Sequence, residues 1–142
     1  MEQNQRTDYI LCECPLDNLT GFVGDLSVHY PLNLLKAPRL CLTMIQAEDS
    51  VEYQPFYLGE ALTTTCEVAI NKTVGYGICL GDEPERAYCL AVLDAVMALN
   101  DAQAPAIDRF LAEQLRLIQH REETELSHIM RTKVDFKLME QA

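Results

Sequence analysis

From Val74 to Leu80 the chain places Val74, Tyr76, Ile78 and Leu80 on one face of an extended segment and only Gly75, Gly77 and Cys79 on the other. Side chains alternate across a strand, so one side of this segment is nearly bare and open to close approach by a helix or another backbone. The residues that follow supply such a helix. Gly81 and Asp82 end the strand, and Asp82 is positioned to cap a helix entered at Pro84. Glu83 and Glu85 stand against the positive end of its dipole, and the helix is expected to reach about Asn100.

Upstream, Leu62, Thr64, Cys66, Val68 and Ile70 alternate with Ala61, Thr63, Thr65, Glu67 and Ala69, which predicts a strand with one face inward. Asn71 to Thr73 connect it to Val74–Leu80 as a hairpin. Arg39 to Ala47 is apolar on both faces, as expected of a strand covered on both sides, and one cover could be a partner chain. Glu48 to Ser50 read as a turn, Val51 to Leu58 as a returning strand with Pro55 at an edge or bulge, and Val28 to Lys36, broken by Pro31, as an edge strand or irregular stretch.

Arg6–Cys14 and Pro15–Leu26 read as two short helical pieces split at Pro15, with Asp17 and Asn18 suited to a cap or first turn. A last helix is entered at Pro105, with Ile107, Leu111, Leu115, Ile118, Leu126 and Ile129 at mostly three- and four-residue spacing. The fold class is therefore α+β: an antiparallel meander of four to five strands, with two short N-terminal and two longer C-terminal helices packed on it. The 142 residues make one domain, helical over 1–34, a sheet over 35–80, helices over 81–132 and an extended tail over 133–142.

The charge balance limits the chemistry. A net charge of −11 repels nucleic acid, nucleoside triphosphates and phosphonates. The basic residues gather only as Arg116 with Arg121, and as Arg131 with Lys133 and Lys137. No apolar run approaches the ~20 residues of a membrane span. The opening MEQNQRTDYI lacks a basic region followed by an apolar stretch, so the expected home is the cytoplasm, where the six cysteines would be thiols.

Gly75, Gly77 and Gly81 miss the dinucleotide fingerprint by one position, because its third glycine would fall at Leu80. Cys12 and Cys14, with His29 or Cys41, could hold a metal, but the second cysteine pair that makes zinc motifs specific is absent; packing is the alternative. Glu125 and His128 share a helix face as in di-metal bundles, without the second pair those need. No histidine stands near Cys66 or Cys89 in sequence, and no P-loop or nucleophile elbow occurs. No catalytic, cofactor-binding or metal-ligating residue is assigned.

Phe56-Tyr57-x-Gly59-Glu60-Ala61 with Thr63, then Gly75-Tyr76, Gly81-Asp82, Ala87-x-Cys89 and Asp94-Ala95-x-Met97, resembles in order and spacing the signature of the PhnG family. These are the small G subunits of the bacterial carbon–phosphorus lyase core complex. Val134-Asp135-Phe136 adds a match near the C-terminus, and Leu35 to Ala47 is similar to the family's preceding strand, whereas the first 34 residues depart from its alanine-rich opening. The resemblance implies a two-fold assembly with H, I and J subunits, in which this chain packs chiefly on the I subunit. It implies that the complex displaces adenine from ATP with a phosphonate, giving a ribose 1-phosphonate 5-triphosphate. A partner subunit with an iron–sulfur cluster and S-adenosylmethionine then cleaves the carbon–phosphorus bond. No cofactor is expected on this chain, and catalysis is expected in the partners.

Phe56, Tyr57, Gly59 and Glu60, with Val134, Asp135 and Phe136, are on this view candidate subunit contacts; the alternative is that they pack on their own sheet. A homodimer of the isolated chain stays open, as does a freestanding cytoplasmic small-molecule or metal-binding domain.

Overall fold

The computed structural model describes residues 2–133. Proline has no amide hydrogen and obstructs the preceding turn, so Pro15 divides the N-terminal helical stretch. Helix α1 spans Glu2–Glu13 and α2 spans Leu16–Ser27, with Pro15 in extended conformation between them. Asp17 lies in the first turn of α2, while the Asn18 amide reaches across to Gln114 Oε1 at 3.3 Å.

Three strands follow, β1 (Leu32–Glu48), β2 (Pro55–Ile70) and β3 (Thr73–Leu80), in the antiparallel order β1-β2-β3. The class is the α+β expected, but among the described residues the strands number three rather than the four to five expected. Segments that read as separate strands are continuous, because the pairing passes the apparent breaks through register shifts at Leu34/Lys36, Lys36/Arg39 and Ile45/Gln46. A bulge absorbs an extra residue without ending a strand, and Pro38 is tolerated because β1 is an edge. Val51 to Gln54, expected in a strand, belong to the turn. There Asp49 Oδ1 accepts the Val51 amide at 3.1 Å, Asp49 N–H donates to Gln54 O at 3.0 Å, and Tyr53 adopts φ 57°.

The hairpin at Asn71–Lys72 forms as expected, with Asn71 at φ 55°. Helix α3 (Pro84–Leu99) then lies directly on the bare face of β3. A Cβ placed on Gly75 would stand 2.1 Å from Ala91 O, and one on Gly77 would stand 2.0 Å from Ala87 O. The expected cap differs. The N-cap residue is Glu83 rather than Asp82 and makes no side-chain cap hydrogen bond. Thr64, buried on β2, does the joining: its Oγ1 accepts the Glu83 amide at 3.0 Å and donates to Gly81 O at 2.6 Å. Gly81 itself has φ 81°, a conformation open to glycine at little cost.

Asn100 ends α3 in the left-handed conformation, and α4 (Ala104–Thr132) starts with proline in its first turn. The core sits around α3, between the sheet and the other helices. Val68, Ile70, Leu93, Val96, Leu19 and Ile118 are all essentially inaccessible there. Helix α4 runs beside α1, where Tyr9 donates to Glu122 and Arg121 pairs with Glu13 at 3.2 Å. Phe22 of α2 stacks on Phe110 of α4 with ring centroids 4.1 Å apart. Beyond Arg121 the helix continues for roughly 16 Å, and Leu126, Ile129 and Met130 are exposed there, outside the core that their spacing suggested.

Candidate functional site

β3 ends at Leu80, opposite Thr63, while β1 and β2 go on without it. From Leu42 and Leu62 outward they form a two-stranded arm reaching roughly 20 Å to the Asp49 turn. The face that buries Cys66, Val68 and Ile70 over α3 continues onto the arm as Leu62, with Leu40, Leu42 and Met44 beside it on β1. No helix of the described residues covers them, and Leu42 is 66% exposed. Arg39–Ala47 was expected to be covered on both sides, with a partner chain as one possible cover; among the described residues Leu40, Leu42, Met44 and Ile45 are exposed. On the opposite face Tyr76, Ile78 and Leu80 are exposed beside Thr63 and Thr65, with Leu80 at 72%. Polar pairs hold that face in register: Thr43 and Thr63 hydroxyls at 2.8 Å, and Lys36 with Glu67 at 3.4 Å.

Phe56, Tyr57, Gly59 and Glu60 all lie on the β2 side of this arm, opposite Ala47, Gln46, Ile45 and Met44 respectively. They are strand residues outside the core, and Tyr57 is 63% exposed. Val134, Asp135 and Phe136 fall outside the described residues. Sequence reasoning missed that Leu40, Leu42, Met44 and Leu62 are exposed on the arm, on the face shared with Glu60 and Tyr57. The available signal was the mismatch in length between a short third strand and two longer ones. An isolated two-stranded ribbon is marginal in water, and a contiguous exposed apolar patch marks an interaction surface in folded proteins.

The interior is built for holding. Arg86, only 7% exposed, donates from Nη1 to Leu11 O at 2.9 Å and Cys14 O at 3.0 Å, and from Nε to Glu83 Oε1 at 3.3 Å. It thereby closes the carbonyl end of α1 at the Pro15 break. Asp94 accepts the Tyr76 amide at 2.8 Å and ties β3 to α3. Cys14, Cys66, Cys79 and Cys89 are buried thiols, and burial pushes Cys79 and Cys89 up to about 11. Such thiols stay protonated at neutral pH and are poor nucleophiles. Among the described residues no group of three or more His, Cys, Asp and Glu side chains is placed to hold a metal.

A groove of about 370 Å³ runs between α2, α3 and Pro38, lined by Val23, Gly24, Pro84, Tyr88 and Cys89. Its charged lining residue is Glu85, whose sign disfavours a phosphonate or triphosphate. Among the described residues no helix is long and apolar enough to cross a membrane.

The model of one protein family, described as phosphonate metabolism protein PhnG, matches residues 2–141. The match takes in the helical opening as well as the sheet and the helices after it. No curated protein matches the chain.

Proposed function

The chain belongs to the PhnG family of phosphonate metabolism proteins, and from that premise we propose that it is the non-catalytic G subunit of a carbon–phosphorus lyase core complex. Its partners on this reading are the H, I and J subunits, chiefly I. The reaction supported is transfer of a phosphonate onto the ribose C1 of ATP. A phosphonate oxygen bonds to C1, the bond from C1 to adenine breaks, and adenine leaves with a proton. ATP, and the iron–sulfur cluster and S-adenosylmethionine of the later step, bind to partner subunits.

The observation that carries the reading is the uncovered apolar arm with Leu40, Leu42, Met44, Phe56, Tyr57 and Leu62. Such a surface fits a subunit whose fold is completed by another chain. The net charge of −11 and the protonated thiols also favour docking over chemistry on polyanionic substrates. The tail contact assigned to Val134, Asp135 and Phe136 is part of the same proposal.

Co-expression with candidate H, I and J subunits followed by sizing tests it. The chain is expected to elute with the I subunit, and Phe136→Asp to weaken that co-elution while the isolated chain keeps its circular dichroism. A wild-type chain that elutes alone with all three partners present would overturn the proposal.

A further inference from the structure

Among the described residues the sheet has three stretches of free edge, and two of them are blunted along their length. Along β3 the Tyr76 amide is already taken by Asp94 at 2.8 Å. Along β1, Pro38 and the register shifts at Leu34/Lys36 and Lys36/Arg39 interrupt the regular run of donors and acceptors. Bulges, prolines and covered amides are the devices by which folded proteins keep edges from pairing with other chains. The third stretch carries a bulge at Leu58 and is regular from Gly59 to Leu62. Where β3 ends, the Gly81 amide takes Leu62 O at 2.8 Å, and beyond that point β2 from Phe56 to Ala61 is paired, among the described residues, only on its β1 side. The register is unbroken from Leu62 to Gly59, so the amide of Glu60 points the same way as the Leu62 carbonyl, into the space in line with β3.

The charge of the arm selects the occupant. Between Leu40 and Leu62 stand Glu48, Asp49, Glu52 and Glu60, and no lysine, arginine or histidine. Two arms of this chain would bring like charges together, which opposes pairing with a second copy. Beside the exposed Glu60, the large hydrophobic side chains Phe56, Tyr57, Leu58 and Leu62 stand exposed around the open edge.

We infer that the β2 edge at Gly59–Ala61 receives an extended segment of a different protein chain, apolar in the middle and flanked by lysine or arginine, as an added strand continuing the line of β3. Backbone hydrogen bonds give such strand addition its affinity, and alternate side chains its specificity. The inference rests on the reading of the chain as a subunit of a larger assembly and specifies how one partner is held.

Hydrogen exchange on the isolated chain and on the co-purified complex tests it. The Glu60 amide is expected to exchange freely in isolation and to be protected on the order of 100-fold or more in the complex. Glu60→Pro removes that donor and is expected to weaken the complex by about tenfold. If Glu60→Pro disturbs the isolated fold, the pair Glu52→Lys with Glu60→Lys replaces it and is expected to weaken assembly in low salt. A complex that forms with the Glu60 amide unprotected, or that tolerates the substitutions, overturns the strand addition and leaves the subunit reading standing. Failure to form any complex overturns both. Protection in the isolated chain at dimer mass assigns the edge to a second copy and overturns the inference.

Discussion

Arg86 shows how much one side chain carries in this fold. A cation in the first turn of a helix faces the wrong end of the dipole, so its presence there calls for a separate cause. The cause is the carbonyl end of α1, whose Leu11 and Cys14 oxygens both accept from the guanidinium beside Pro15. Replacing Arg86 by Met keeps the aliphatic stem and removes the charged donor from those two oxygens, leaving Leu11 O with only the weak Cys14 thiol at 3.5 Å. We expect a loss of about 2–3 kcal/mol of stability, measured as a lower midpoint in urea with unchanged slope. The sequence carries a hint of this in the misplaced charge. It carries no hint of which carbonyls the guanidinium meets, because Leu11 and Arg86 are 75 residues apart. Thr64 repeats the lesson: its place on the inward face was legible from alternation, but its bond to the Glu83 amide in place of an Asp82 cap was not.

Among the elements, β3 and α3 were the most legible. The row of Gly75, Gly77 and Cys79 announced a close approach, and the fold brings the backbone of α3 against both glycines. Gly77→Ala would drive its new methyl into Ala87 O and Ala91 N, at 2.0 and 2.7 Å, both backbone atoms that cannot turn aside. A loss of about 3 kcal/mol or more is expected, or no folded protein at all. Gly24→Ala is the control, since a Cβ there meets nothing within 4 Å and α2 is a helix that favours alanine. Equal effects from the two substitutions in urea denaturation would contradict the close-packed reading of β3 and α3. The strands β1 and β2 were less legible. Pro38 and Gly59 look like stops in a one-dimensional pattern, and only cross-strand pairing shows that the ladder continues past them.

For the molecule as a whole, burial of ionisable groups ties stability to pH. Burial raises the Cys79 and Cys89 thiols from an ordinary 9.0 to about 11, and raises Tyr30, which also donates to Asp101 at 2.8 Å, from 10.0 to about 12. Below the ordinary thiol value both folded and unfolded chains keep these protons, and stability is complete. As pH rises above it the unfolded chain releases protons that the folded chain retains, so stability falls until the folded groups themselves ionise. A urea midpoint at about pH 10 in reductant is expected to lie below that at about pH 8, and Cys89→Ala to reduce the difference. The same global view separates the two faces of the arm from the core. Hydrophobic periodicity marks Leu40, Leu42, Met44 and Leu62 as apolar, and it gives the same mark to Val68 and Ile70. By itself the sequence determined the α+β class, the helix boundaries at Pro15 and Pro105, the bare face of β3 and the family, because each depends on spacing between near neighbours or on the order of motifs. Only the tertiary structure decided which apolar residues of Phe56–Leu80 are core and which stand open for a partner, because burial depends on where α3 ends over the sheet, a distance the chain sets only after it has folded.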